Sequence, residues 1–402
     1  MKKIAVALGA VLALLPNIRY LADLRYRLDP ALERSVCRSL ACSDRLLLDA
    51  ADRLPRTDNQ SAAFAVANLQ EALRRNAASP DRWCDLGEAL LDAGRVQEAQ
   101  YCFTRAVELG PESPPVFWRT SQFYERIQEP RRSHEYMGQM LELVPEYKEL
   151  VFSTYLSGRS DVLDSLEHGI PRDRRLPQDY LRYLLAHDAG LGDVRKAWDW
   201  LRGHSLADDT LAGDYVDFLS KKREYSLAAE TWKSSAGRQD DTYLNPNLVF
   251  NGGFESEPLQ AGLDWRFAQP SGVQIGRDFT VAFSGSSSLQ IAFAGDSNID
   301  FNSVTQDVVA PPGRYHFKAL VRTSELTTDE GIGFRIVDSS GGLTLQTTRL
   351  RGTHDWTPVD LDFSLSGPVR LLRILVVRQP SGKFDNKISG KVWIDGVSLV
   401  RS

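Results

Sequence analysis

Around residue 318 every second side chain is apolar. Tyr315, Phe317, Ala319 and Val321 alternate with His316, Lys318 and Arg322. A period of two sends one set of side chains to each face of an extended strand, which predicts a half-buried antiparallel sheet rather than a helix. Short segments of this kind, punctuated by Gly, Pro, Ser and Asp, recur from Tyr243 to the last residue. So many strands in so short a stretch point to a two-sheet sandwich. The change of period falls between Ser234 and Pro246, in the polar hinge Ser-Ser-Ala-Gly-Arg-Gln-Asp-Asp, and places a domain boundary near Tyr243.

Upstream the period is helical and repeats. Between Pro80 and Pro111, Trp83, Leu86, Gly87, Leu90, Ala99, Phe103 and Ala106 occupy the key positions of a two-helix unit. The register returns 34 residues later with Phe117, Tyr124, Met137, Met140 and Pro145. Small residues at Gly87 and Ala99 let two antiparallel helices touch, and Ser121 and Ser133 keep those places small in the next unit. The spacing matches the tetratricopeptide pattern. Weaker units are expected upstream, at Leu46, Leu47, Ala50 and Leu54 with Leu69, Ala72 and Leu73. Others are expected downstream, closed by Trp198 and Trp232. One unit cannot bury its own apolar face, so several must stack. Exposed first-helix residues Arg82, Asp85, Arg119 and Gln122 are the expected contacts for a protein partner, unless the array is only a spacer.

The sandwich segment opens Asn247-Leu248-Val249-Phe250-Asn251-Gly252-Gly253-Phe254-Glu255 and closes Trp393-Ile394-Asp395-Gly396-Val397-Ser398-Leu399. These ends resemble those of jelly-roll carbohydrate-binding modules of the family 4, 9 and 22 type. The resemblance implies that the first and last strands are neighbours. It further implies that Glu255 and Asp395 hold a structural calcium there, because calcium takes six to eight oxygen ligands. The alternative is that both carboxylates bond turn amides. The resemblance also implies glycan binding through aromatic faces and planar polar groups. Phe384, in the polar loop Gln379 to Asn386, is the aromatic expected to be exposed, whereas Trp265, Trp356 and Trp393 are expected in the core. His316, Arg322, Arg335 and Arg378 are expected to form a partly basic face beside the glycan, suited to an acidic polysaccharide.

A chain of 402 residues with a net charge of -5 and no long basic run does not suit nucleic acid. Lys2 and Lys3 precede an apolar run from Ile4 to Leu15, which reads as a signal peptide or a short uncleaved anchor within residues 1–28. Either implies an exported protein, membrane-anchored or periplasmic. Cys37, Cys42, Cys84 and Cys102 are compatible with two local disulfides or with buried thiols. The six histidines form no metal-binding spacing, and neither a nucleophile elbow nor a phosphate loop occurs.

The sequence therefore predicts a multidomain chain. Residues 29–236 form an all-α, tetratricopeptide-like solenoid, and residues 243–402 an antiparallel β-sandwich of jelly-roll type. The expected role is non-catalytic binding of a cell-envelope or exported polysaccharide, with a protein partner on the helices. Two alternatives stand: a pure assembly scaffold whose sandwich binds no sugar, and a polysaccharide-modifying enzyme that uses the sandwich.

Overall fold

A computed structural model describes residues 59–236 and 240–402. The segment read as a signal or anchor, the pair Cys37 and Cys42, and the unit expected at Leu46 to Leu54 lie outside the described residues. Among the described residues no helix is long and apolar enough to cross a membrane. The chain is helical up to Ser234 and forms strands from Arg266 onward. It divides into two compact units, one up to Tyr180 and one from Leu181. The last helices thus belong with the sandwich.

In the first unit, α1 (Asn59–Arg75) is followed by the pairs α2 (Pro80–Asp92) with α3 (Val96–Leu109) and α4 (Pro114–Arg126) with α5 (Pro130–Leu143). Prolines stand at the N-termini of α2, α4 and α5, where an absent N–H removes no helical bond. Gly87 lies against the Phe103 ring, and a Cβ there would sit 2.8 Å from it. Phe103 stacks on Phe123 at 4.6 Å and so joins one helical pair to the next. Ser121 and Ser133 are fully buried in the places predicted to be small. Ion pairs repeat at the same interval, Asp85 with Arg119 at 2.6 Å and Asp92 with Arg126 at 2.7 Å, each spanning 34 residues. They tie α2 to α4. Cys84 and Cys102 are buried free thiols, and burial pushes both above the ordinary thiol range, to about 12 and about 11. Beyond α5 come α6 (Lys148–Gly158), a π-helical turn (Ser165–Gly169) and α7 (Arg175–Ala186), the last spanning the division.

The second unit continues with α8 (Leu191–Gly203), α9 (Asp209–Lys221) and α10 (Tyr225–Ser234). Ten strands follow: β1 (Arg266–Phe267), β2 (Val273–Asp278), β3 (Ser288–Ala294), β4 (Phe301–Ala310), β5 (Gly313–Leu326), β6 (Gly333–Asp338), β7 (Thr344–Gln346), β8 (Gly352–Leu365), β9 (Arg370–Arg378) and β10 (Ser389–Arg401). They form two antiparallel sheets of five, in the orders β2-β3-β10-β5-β8 and β1-β4-β9-β6-β7. Alternation places Tyr315, Phe317, Ala319 and Val321 in the core with Trp265, Phe334, Ile374 and Val392. The opening segment lies against the last strand, as the motif implies. The Leu248 N–H donates to the Leu399 carbonyl at 2.9 Å, and the Leu399 N–H donates to Asn247 Oδ1 at 2.9 Å.

The outer side of the second sheet is partly occupied by the helices of its own unit. Arg266 on β1 pairs with Asp217 on α9 at 2.6 Å and approaches Asp307 on β4, which holds Arg373 through both carboxylate oxygens. Nearby, the Trp232 indole of α10 packs on Gly262 and meets Phe250 edge-on at 5.5 Å. The outer side of the first sheet is therefore the place to look for a site.

Candidate functional site on the outer face of the first sheet

Two residues of β8 stand opposite one of β5. Thr357 pairs with Val321 and His354 with Thr323, so both Asp355 and Trp356 oppose Arg322. Such a bulge bends the strand and re-aims its side chains. Val359 and Thr357 oppose the core residues Ala319 and Val321, so alternation alone sends Trp356 outward, contrary to the sequence expectation, where it meets Phe283. The bulge turns Asp355 to the same side, beside Arg322. The two rings meet at 5.9 Å and 70°, making a corner whose Phe283 wall is 54% exposed. On the next strand Trp393 faces outward beneath the Arg322 guanidinium, 5.8 Å from its ring centre. Trp393 Nε1 donates to Asp278 at 2.8 Å, which fixes the indole.

Phe283 belongs to the loop between β2 and β3, and two carboxylates hold that loop. The Phe283 and Ser284 amides donate to Asp395 Oδ2 at 2.8 and 3.0 Å, and the Gly396 amide donates to Oδ1 at 2.6 Å. Glu255 accepts from the Ser286 amide and hydroxyl and from the Ser287 amide. Burial outweighs the amide donors at Asp395 and pushes its carboxyl above the ordinary range. At Glu255 burial works the same way, but the Ser286 and Ser287 donors outweigh it and hold the carboxyl below that range. The two residues named for calcium do meet, on either side of Gly253. As placed, the carboxylate oxygens accept from these amides, which is the alternative reading of the pair. Among the described residues, no three His, Cys, Asp or Glu side chains gather into a metal site. Glu255 and Asp395 form a clasp that positions Phe283.

The polar groups around this corner come as opposite charges across the strand pair. His316 Nδ1 lies 2.8 Å from Asp362, Lys318 stands opposite Asp360, and Arg322 lies 3.8 Å from Asp355. Such pairs are worth little to stability at a surface. They nevertheless leave a face rich in hydrogen-bonding groups with no strong net sign. This corrects the expectation of a basic face, since His316, Lys318 and Arg322 of β5 each have an aspartate of β8 beside them, while Arg314 stands opposite Ser364.

The five residues expected to touch glycan do not gather. His316 and Arg322 share the outer face of the first sheet. Arg335 lies on β6 in the other sheet, and its Nε is buried without an acceptor among the described residues. Phe384 is fully exposed at 105%, in the loop between β9 and β10, beside Lys383, which pairs with Asp329 at 3.2 Å.

Arg378 is sealed at 0% exposure, so it cannot meet a ligand from solvent. Its guanidinium donates to Asn298 Oδ1, the Ile299 and Asn386 carbonyls and Thr328 Oγ1. It therefore staples three loops at one end of the sandwich. Replacing it by Ala leaves several buried acceptors without donors, so Arg378→Ala is expected to cost about 3 kcal/mol in chemical denaturation.

The residues expected to contact a protein partner are largely engaged with one another. Arg119 Nε donates to Glu88 at 2.7 Å as well as bonding Asp85, and Arg82 donates to the Ala72 carbonyl at 3.0 Å. Gln122 Nε2 is buried. Phe283 and Trp356 were among the aromatics the sequence offered as candidates, with Trp265, Phe267, Phe301 and Phe384, and amide bonding by Glu255 and Asp395 was one of its two readings. It gave no sign that Phe283 and Trp356 meet, because that pairing joins a loop to a strand far along the chain.

Comparison with known proteins places no family name on the chain. No protein-family profile and no curated protein sequence matches it. Among solved structures it is similar to a xylan-binding domain from Paenibacillus barcinonensis at 17% identity, covering 37% of this chain and 91% of that one, with a TM-score of 0.28. It is also similar to a family 61 carbohydrate-binding module solved with β-1,4-galactotriose, at 16% identity, 39% and 99% coverage and a TM-score of 0.27. A third similarity is to MamA, at 15% identity, 34% and 80% coverage and a TM-score of 0.27.

Proposed function

We propose that the chain is a non-catalytic binding protein whose sandwich holds a glycan on the outer face of its first sheet. The observation that carries this reading is the Phe283–Trp356 corner, presented by a strand and a clasped loop and bordered by Arg322 and Asp355, with Lys318 and His316 further along the same face of β5. A sugar ring offers a C–H face and a rim of hydroxyls. Aromatic faces take the former, and planar charged groups bond the latter. The paired charges favour an uncharged chain over an acidic one, since an anion would meet Asp355, Asp360 and Asp362 as well as the cations. The implied affinity is modest, because the surface is open and two rings bury little area. In this reading the tetratricopeptide-like helices carry the sandwich and offer a surface to a protein partner, and the apolar run Ile4 to Leu15 directs export.

Affinity electrophoresis of the whole chain through gels containing neutral and acidic polysaccharides tests the proposal. Retardation by at least one neutral polysaccharide is expected. Retardation by none would favour the assembly-scaffold reading, in which the same aromatic corner contacts protein.

A further inference from the structure

The first unit contains a histidine that the glycan site does not use. His134 on α5 is 2% exposed, and its Nδ1 lies 2.5 Å from Asp164 Oδ2. Asp164 leads into the π-helical turn Ser165–Gly169 and also lies 3.8 Å from His168 Nε2 through its other oxygen. The opposite nitrogen of His134, Nε2, is buried and has no hydrogen-bond partner among the described residues. The tautomer follows from this geometry. A bare Nδ1 facing a carboxylate oxygen at that distance would be repulsive, so the neutral ring carries its proton on Nδ1 and donates it to Asp164.

The turn itself is held tightly. Tyr155 on α6 donates its hydroxyl to the Gly169 carbonyl at 3.0 Å, and its ring packs edge-on against His134 at 4.8 Å. Gly169 and Gly138 bring backbone against backbone. A Cβ on Gly169 would fall 2.1 Å from the Tyr155 hydroxyl, and one on Gly138 would fall 3.1 Å from the His168 carbonyl. A π-helical turn has poorer backbone bonds than an α-helix and depends on such tertiary contacts.

We propose that His134 and Asp164 form an acid-released latch that holds residues 161–170 against α5. A second proton on His134 must go to Nε2, where a new N–H finds no acceptor in the packed interior. An unsatisfied buried donor is destabilising, and the segment with the weakest backbone bonds gives way first.

The charged and titratable groups around the ring come from every element that packs on it. They are Glu125 of α4, Arg131 and Arg132 of α5, Tyr155 and Arg159 of α6, and Asp161, Asp164 and His168 of the turn region. Most of them surround a cavity of about 620 Å³. Burial pushes the His134 imidazole below the ordinary histidine range, and this outweighs the attraction of Asp164 and Glu125. A group whose folded value is depressed contributes stability above its unfolded value, near 6.5, and that stability is lost as pH falls through the folded value. The latch is closed at neutral pH and opens in acid.

Hydrogen exchange of the whole chain, compared at pH 7.5 and 5.5 after correction for intrinsic rates, tests this. Protection of the 161–170 amides should fall several-fold in acid, up to about tenfold, the limit for one histidine whose open-state value is 6.5. In His134→Asn, whose amide can still donate to Asp164 but cannot be protonated, protection should be the same at both values. Equal protection of the natural chain at both pH values, or an equal loss in the variant, overturns the proposal. Should the variant not fold, the His134 ring resonance of the natural chain decides. Titration below 6.5 together with the 161–170 amides supports the latch, and titration at or above 6.5 contradicts it.

Discussion

Gly252→Ala is expected to unfold the sandwich or to weaken it by more than about 3 kcal/mol, the largest effect of any one-methyl change discussed for this chain. Gly252 lies in the opening motif, where the first segment crosses the last strand. A Cβ at this position would sit 2.0 Å from the Val397 carbonyl oxygen. That oxygen belongs to a backbone fixed on both sides, since the Val397 N–H donates to the Gly252 carbonyl at 2.9 Å and the flanking Leu399 N–H donates to Asn247. Neither partner is a flexible side chain that could swing away. Moving the two segments apart would break these bonds and open the core at Val249, Phe254 and Val397. Gly253→Ala is the control. A Cβ there meets nothing closer than 3.6 Å, so its effect should be small. Urea denaturation followed by tryptophan fluorescence measures both.

Trp232→Ala comes next, with an expected cost of about 3–5 kcal/mol. The indole is fully buried, lies on Gly262 and meets Phe250, so its removal opens a cavity between α10 and the opening segment of the sandwich. Its Nε1 has no hydrogen-bond partner among the described residues. The stabilisation is therefore packing rather than polar bonding, and Trp232→Phe should retain most of it. Equal losses for the two variants in thermal denaturation would contradict this assignment. It also follows that a fragment beginning at Tyr243 would expose Phe250 and Gly262, so binding studies belong on the whole chain.

Much of the architecture was legible because it rests on local period. The alternation at Tyr315 to Arg322 appears as β5 with its inward and outward sets as expected, and Gly87, Ser121 and Ser133 lie in tight helical contacts. That the opening segment lies against the last strand was carried by the two end motifs. The site was much less legible. Arg378 was expected on the outer face, yet it has the parity of the inward Leu372, Ile374 and Val376, and loops contributing Asn298, Thr328 and Asn386 close over the end of β9 and bury it. No local pattern reports that closure. Trp356 was expected in the core because the resembled modules place a tryptophan there, yet it has the parity of the outward Asp360 and Asp362, a period the sequence did carry. The extra residue of β8 against β5 turns Asp355 outward as well, and a register shift of this kind leaves no periodic trace. Glu255 and Asp395 both hold the loop between β2 and β3, and their bonds to its amides are one of the two readings the end motifs offered.

The most direct test of the account is the dissociation constant of the whole chain for the neutral polysaccharide that retards it, measured for Phe283→Ala, Trp356→Ala and Phe384→Ala. The account predicts a loss of about tenfold for each of the first two and no change for the third. Unchanged affinity in both Phe283→Ala and Trp356→Ala, with affinity lost in Phe384→Ala, would place the ligand at the other loop end and contradict it.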